Sequence, residues 1–357
     1  MTIYPSLRRS AFASGRHLST LPTVFALLFG GLANCQAAGP GSAPIPPTAQ
    51  IWFHPLPSAS AWPGGHPNGG SEDFLELFQE NAPWARSASH TQAFGLYAGW
   101  IVNATDAELS RMVAFLNAHK MGIEIEAPAL RAEATCGSGV EGYVPYGQSL
   151  ETFTLTYLRR LKLLGAQVAF IKVDEPFFFG HVVADLRSCH FSVPQIAAEV
   201  GEFAQLVKRV YPDAEVGDVE PVVEGGYAPN VLAALVQWHE VYTEVTGAPF
   251  PFFFADVDFS NSAWPQLVKQ LENLTHQQGS CFGIIYIGDL TDGWDGEWTS
   301  KALSRFFEYQ GTTGGRPDYV LFQSWEPSPA HSLPESDPYT LTGVIAAYLN
   351  ATLGPGD

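Results

Sequence analysis

From residue 51 to the end of the chain, short apolar runs of strand character alternate with helical patterns in eight successive units. This alternation predicts parallel strands joined by crossover helices. The eight strand candidates are Ile51–Leu56, Ala93–Ile101, Gly122–Ala127, Val168–Asp174, Glu215–Pro221, Phe250–Phe259, Cys281–Asp289 and Tyr319–Glu326. Eight units in about 305 residues favour an α/β fold, a single (β/α)8 barrel. An open doubly wound sheet is the alternative, but no glycine-rich phosphate loop follows the first strand.

Helical spacing is clearest in three segments between and after these strands. We expect helices at Ala107–His119, with Asp106 as its N-cap, at Ser149–Leu164 and at Thr340–Leu349. Since the active sites of such barrels lie at the C-terminal strand ends, we expect the catalytic residues among those that finish each strand.

The first 50 residues precede the barrel and have a different composition. Residues 1–38 combine a basic start, an apolar run at Leu21–Leu32 and small residues at 37 and 38, which predicts a signal peptide. Residues 39–50 are rich in Pro, Gly, Ala and Ser and read as a flexible lead-in, which leaves 51–357 as the catalytic domain. Without a later run of about 18 apolar residues, we expect no membrane span and a secreted or periplasmic location. Whether Cys35, which follows a weak lipoprotein-like stretch, is lipidated stays open.

Charge narrows the range of partners. The chain carries 36 acidic residues against 18 basic ones, which argues against nucleic acid and anionic membrane surfaces. We expect a monomer without a cofactor that binds carbohydrate. Cys136 and Cys189 follow neighbouring strands, and in an oxidising compartment we expect them to form a disulfide, with Cys281 left as a buried thiol.

Carboxylates gather at the ends of five of the predicted strands. Alternation along the strands turns the following residues inward or places them at the rim: Glu124, Glu126, Lys172, Asp174, Glu175, Asp218, Glu220, Asp256, Asp258 and Glu326. Lys172 is expected to pair with Glu124 on the adjacent strand. A single inward lysine cannot neutralise all these acids, and unpaired buried charges cost several kcal/mol each. Such a ring indicates a functional site.

Hydrolysis of a glycosidic bond suits this ring. It needs one protonated carboxyl for the leaving oxygen and one carboxylate for the positive charge of the transition state, and crowded acids supply both. A zinc site would want histidine ligands, and His54 is the one strand histidine near the rim. Asp256 and Asp258, or the acidic loop at 292–297, could bind calcium, but neither segment matches the EF-hand loop pattern. We therefore assign no metal.

Three short motifs resemble known barrel glycosidases. Asp174-Glu175-Pro176 resembles the Asn-Glu-Pro motif of a large clan of retaining enzymes, which implies that Glu175 is the acid/base and that Trp325 is similar to the clan's platform tryptophan. The clan's nucleophile on strand seven has no match, because that strand ends in Asp289. The Lys-x-Asp sequence ending at Asp174 resembles the nucleophile motif of barrel alpha-galactosidases, whose acid on strand six would correspond to Asp258 or Asp256.

The third resemblance is to barrel endo-galactosaminidases, through adjacent Asp174 and Glu175 and a Glu on strand five. Together these motifs implicate Asp174 and Glu175 as catalytic residues, with Glu220 as the preferred partner. The predicted substrate-binding residues are Glu126, Asp258, Glu326, Lys172, Trp325, His54, Tyr97, Tyr286 and Trp294. The aromatic members lie near strand ends or loops, where their rings could stack on sugars.

Two other classes of function stay open. The barrel could bind carbohydrate without cleaving it, or it could be another carbohydrate-active enzyme such as a lyase or an esterase. The commonest esterase design is disfavoured because the chain contains no Gly-x-Ser-x-Gly motif.

Overall fold

The computed structural model describes residues 49–62, 69–223 and 226–354. Eight parallel strands close into a barrel in the order of the chain, so the predicted (β/α)8 fold is confirmed. The strands are β1 Gln50–Pro55, β2 Thr91–Tyr97, β3 Gly122–Ala127, β4 Val168–Asp174, β5 Glu215–Val222, β6 Phe252–Val257, β7 Cys281–Tyr286 and β8 Tyr319–Ser324. The predicted signal peptide and all but the last two residues of the predicted lead-in lie outside the described residues.

Helices surround the barrel between and after the strands. They are α1 Ala85–His90, α2 Ala98–Asn103, α3 Asp106–Ala118, α4 Leu150–Leu163, α5 Val193–Val210, α6 Val231–Thr246, α7 Trp264–Gln277, α8 Asp295–Phe306 and α9 Leu341–Thr352, with short helical turns at Phe74–Phe78, Phe178–Val182 and Phe307–Thr313. The N-cap of α3 is Thr105 rather than Asp106, because Thr105 and Glu108 form a reciprocal capping box. Strand β2 ends four residues earlier than predicted, since a helical turn begins at Ala98.

The lower half of the barrel interior is filled by aromatic rings. Trp52 packs against Phe170, Phe252, Phe254 and Tyr319, with ring centroids 4.4 to 5.5 Å apart. Two interior glycines make room for this cluster. A methyl group on Gly217 would lie 2.3 Å from the Phe252 ring, and one on Gly283 would lie 2.4 Å from Phe254. The result is a tightly packed apolar plug beneath the strand ends.

The side chains of β5 face the opposite way to the one predicted, although the strand itself is parallel to its neighbours. Lys172 and Asp174 of β4 face the barrel interior and pair in register with Gly217 and Val219 of β5. Gly217 and Val219 therefore face the interior as well. Asp218 and Glu220 therefore point away from the interior, toward the surrounding helices. The sequence did not reveal this because β5 alternates small or aliphatic residues with acids, and either face could have been the inner one.

A disulfide joins Cys136 to Cys189 across the loops that follow β3 and β4, the pair that the sequence predicts. Cys281 is also disulfide-bonded, so its prediction as a buried thiol is wrong. In the described part of the chain, none of the helices has the length and apolar character needed to cross a membrane.

Candidate active site

An open cavity of about 520 Å³ lies at the C-terminal ends of the strands. Aromatic and aliphatic residues form part of its wall, and five carboxylates form much of the rest. The lining residues are Leu56, Trp62, Tyr97, Glu126, Gly139, Glu141, Asp174, Glu175, Val219, Asp256, Ile285, Gln323 and Trp325. The cavity therefore brings together four of the acids predicted from the strand ends, Glu126, Asp174, Glu175 and Asp256.

A hydrogen-bonded network holds Glu126 at the floor of this cavity. Lys172 Nζ lies 2.8 Å from Glu126 Oε2, and Gln323 Nε2 donates to the same oxygen over 2.9 Å. Lys172 also donates to Gln323 Oε1 over 3.0 Å, and Gln323 Nε2 donates to the Tyr97 hydroxyl. Burial alone would raise the pKa of Glu126, but the charges of Lys172 and His54 and these hydrogen bonds hold it below its usual value. Glu126 is thus ionised at neutral pH.

A second buried pair lies beneath the floor. His54 Nδ1 is 3.0 Å from Glu124 Oε2 and 4.0 Å from Glu126 Oε2, and neither His54 nor Glu124 is exposed. Gly95 permits this placement, because a methyl group there would lie 2.1 Å from the His54 ring. The predicted Lys172–Glu124 pair is therefore wrong. In the strand register Lys172 lies opposite Glu126, which places Glu124 one layer lower, beside His54.

Glu175 and Asp256 both line the cavity wall, and each affects the ionisation of the other. Burial and the charge of Asp256 raise the pKa of Glu175 well above its usual range. Burial raises the pKa of Asp256 to about 6, against the opposing effects of the neighbouring Glu175 and of the positive charge of Lys172. Of these two acids, Glu175 is therefore the one that holds a proton more readily.

Asp174 and Glu141 complete the acidic wall. Burial, with the charges of Glu141 and Glu126, raises the pKa of Asp174 well above its usual range. Glu141 is an exposed residue of the β3–α4 loop, and desolvation within the cleft, with the charges of Glu126 and Asp256, raises its pKa to about 7. The sequence analysis missed Glu141, because a loop has no strand alternation that would reveal which way its side chains point.

The backbone at Glu175 is strained and held in place from behind. Its φ of 44° lies in the left-handed region, which costs energy for a residue with a side chain. Glu220 accepts hydrogen bonds from the backbone N–H groups of Phe177 (2.6 Å) and Phe178 (2.9 Å), and its side chain is fully buried. The expected place of Glu220 in the cavity wall is therefore wrong: it anchors the start of the helical turn that follows Glu175.

Other acids predicted for the rim also lie outside the cavity. Asp218 accepts from Trp238 Nε1 over 2.8 Å, between the barrel and α6. Glu326 is buried against α8, where it accepts a hydrogen bond from Trp298 Nε1. Asp258 accepts from a backbone N–H in the turn after β6, and Asp256, two residues earlier, has the cavity position instead.

Some of the predicted aromatic residues line the cavity, and others lie outside it. Tyr97 and Trp325 line the cavity, and Trp62, which the sequence analysis did not single out, joins them. Tyr286 is fully buried on the outer face of β7, where its hydroxyl accepts from Gln310, and Ile285 takes the inner position. Trp294 lies outside the cavity at the start of α8 and is exposed.

No protein-family model matches this chain, and no curated protein matches it by sequence. Among solved structures, the fold is similar to that of a fungal β-1,4-galactanase, with a TM-score of 0.54 and 11% identity over 84% of this chain and 99% of the galactanase. A D-psicose 3-epimerase from Clostridium cellulolyticum H10 has a TM-score of 0.46 and 9% identity over 85% of this chain and 98% of that one. The similar structures thus include a glycoside hydrolase and other barrel enzymes, and the galactanase comparison supports the barrel fold alone.

Proposed function

We propose that the protein is a glycoside hydrolase in which Glu175 donates a proton to the leaving oxygen and Glu126 supplies the negative charge. The observation that carries the proposal is the opposite perturbation of two acids in one cavity. The pKa of Glu175 is raised well above its usual range, whereas the pKa of Glu126 is held below it. Acid-catalysed glycoside cleavage requires two carboxyl groups whose pKa values differ in this way.

In the proposed reaction, the glycosidic oxygen of a bound sugar takes the proton of Glu175 as the bond to the anomeric carbon breaks. Positive charge then develops on the sugar ring, and the ionised Glu126 stabilises it electrostatically. A water molecule adds to the anomeric carbon and gives up a proton to Glu175, which returns Glu175 to its protonated form. Lys172 and Gln323 keep Glu126 from taking up a proton in the acid-rich cavity. Asp174 lies next to Glu175, but the charge of Lys172 opposes the rise in the pKa of Asp174, whereas burial and the surrounding acids all raise the pKa of Glu175, which favours Glu175 as the donor.

The aromatic part of the cavity wall suits a sugar ring. Trp62, Tyr97 and Trp325 line the cavity, and the first two rings have centroids 5.8 Å apart. Aromatic faces pack against the C–H surfaces of sugars, while the carboxylates and Gln323 accept or donate hydrogen bonds to hydroxyl groups. A neutral or cationic sugar fits this cavity better than a uronic acid, because the lining is strongly acidic.

The experiment is a two-stage assay of hydrolysis. Purified protein is first incubated with β-1,4-galactan, xylan, glucomannan, glycol chitosan and polygalacturonate, and reducing ends are measured. Activity on at least one is expected, and E175Q should lose about 10²- to 10⁴-fold, the usual contribution of a general acid. Binding of a polysaccharide without release of reducing ends would overturn the proposal in favour of a carbohydrate-binding barrel.

The second stage separates the roles of the acids with an aryl glycoside of the sugar identified in the first. A phenol that leaves easily needs little protonation, so E175Q should recover most of its activity on this substrate, whereas E126Q and D174N should not. E151Q is the control for loss of a carboxylate far from the cavity, because Glu151 lies on the exposed face of α4 and pairs with Arg209; it should leave both activities unchanged. Recovery by D174N instead of E175Q would show that Asp174 is the donor.

The proposal extends to the place where the protein acts. The basic, apolar and small-residue pattern of residues 1–38 supports export, followed by a lead-in at 39–50 and a catalytic domain at 51–357. The Cys136–Cys189 disulfide on the catalytic face is consistent with an oxidising compartment.

A further inference from the structure

A pair of exposed aromatic rings lies on the same face of the barrel as the cavity but outside it. Trp294 is 55% exposed and Tyr339 is 48% exposed, and their ring centroids are 5.1 Å apart at an interplanar angle of 69°. Trp294 is the one exposed tryptophan in the described part of the chain; the others are buried or half-buried. An exposed pair of large rings from distant parts of the chain indicates a binding surface rather than core packing.

The Trp294 ring is held in a fixed place. It lies directly over Gly296, where a methyl group would be 1.9 Å from the ring, so a side chain at that position would displace it. The carbonyl of Trp294 accepts from the N–H of Glu297 as α8 begins. Asp295 accepts from the N–H of Ala330, which ties the start of α8 to the loop after β8. These contacts fix the backbone that carries the ring, so binding has less order to impose there.

The Tyr339 side of the pair is also ordered. Asp337 accepts from the N–H of Tyr339 over 2.9 Å, and the N–H of Asp337 donates to the carbonyl of Pro334. The same β8–α9 loop carries Trp325 in the wall of the cavity. On the α8 side, the side chain of Trp298, one turn beyond Trp294, hydrogen-bonds to Glu326, the residue after Trp325. Two short structural connections thus join the aromatic pair to the cavity wall.

The charge around the pair limits the kind of ligand. Asp295, Glu297 and Asp337 lie within three residues of one ring or the other. Lys301, the nearby cation, already contacts Asp289, Asp292 and Glu297, so it is not free to bind an anion. A surface of this composition would repel a polyanion and accept a neutral or cationic chain.

We propose that Trp294 and Tyr339 form a secondary binding site for a neutral or cationic polysaccharide, which holds the chain beside the catalytic cavity. This inference rests on the proposed function for its class of ligand, and it adds that the natural substrate is a polymer longer than the cavity accommodates. Exposed aromatic rings offer faces on which sugar units of a chain can stack.

The test is isothermal titration calorimetry with β-1,4-galactan, xylan, glucomannan, glycol chitosan and polygalacturonate, in an E175Q background so that no chain is cleaved. Binding of at least one neutral or cationic polymer is expected. W294A and Y339A should each weaken it about tenfold, the effect of losing one well-packed aromatic contact, and W294F should restore most of it. F307A is the matched control: Phe307 is 50% exposed but follows the C-terminal end of α8, at the opposite end of the barrel.

Hydrolysis is measured in parallel on the wild type and on single variants that retain Glu175. W294A should raise KM for the polymer and leave kcat/KM for a short aryl glycoside unchanged. Polymer binding that W294A and Y339A leave unaltered, preferential binding of polygalacturonate, or an absence of binding to every polymer would each overturn the site. Binding that depends on the two rings in a protein that hydrolyses nothing would keep the site and overturn the proposed function; hydrolysis without that dependence would do the reverse.

Discussion

Replacing Lys172 with methionine tests the electrostatic floor of the cavity most directly. Methionine keeps most of the apolar stem and removes the ammonium group, which is fully buried and lies 2.8 Å from Glu126 Oε2. The Glu126 side chain is only 12% exposed, and in the variant it would keep one neutral donor, Gln323 Nε2. Removing one partner of a buried ion pair leaves an uncompensated charge, so K172M should lower the free energy of unfolding by about 3 to 5 kcal/mol at pH 7.

The effect should depend on pH with a definite sign. The pKa of Glu126 is held below its usual value in the folded protein, so the pair stabilises the fold above the unfolded pKa of Glu126. This stabilisation is lost as the pH falls through the folded pKa. Without Lys172, burial raises the pKa of Glu126, and the variant can relieve its buried charge by taking up a proton. The difference in stability between wild type and K172M should therefore shrink as the solution becomes acidic.

Urea denaturation followed by tryptophan fluorescence measures both effects. The matched control is R209M, which removes an exposed pair with Glu151 of similar geometry, 2.6 Å, and should cost at most about 1 kcal/mol. The double variant K172M/E126Q removes both buried charges and should recover much of the loss. A cost for K172M no larger than that for R209M, or a double variant whose cost is simply the sum of the two single ones, would refute the reasoning.

Two further outcomes are expected. In D256N, the negative charge that raises the pKa of Glu175 is gone, so the basic limb of the pH–activity profile should move to lower pH; a limb that stays in place would show that another group carries the proton. Replacing Cys136 and Cys189 together with serine opens a loop of sequence separation 53 and should lower the free energy of unfolding by about 2 to 4 kcal/mol; an unchanged urea midpoint would show that the bridge adds nothing to stability.

The barrel and part of the site could be predicted from the sequence because their patterns are unambiguous. β3 and β4 were predicted with their observed limits, and both place acids at the cavity because isoleucine and valine mark the outer face. β5 could not be oriented, since Asp218 and Glu220 find partners on its outer face that only the fold reveals. Glu141 was missed because loop geometry carries no periodic signal.

The aromatic plug explains why the acids above it separate into different protonation states. Because Trp52, Phe170 and Phe254 fill the barrel from below, the acids above the plug can be hydrated only through the mouth of the cavity. Acids that lack a cationic partner, such as Glu175, then lower their energy by keeping a proton, whereas Glu126 stays ionised through Lys172. A fixed cation on one side of the cavity thus favours the ionised form of Glu126, while buried acids without such a partner favour their protonated forms.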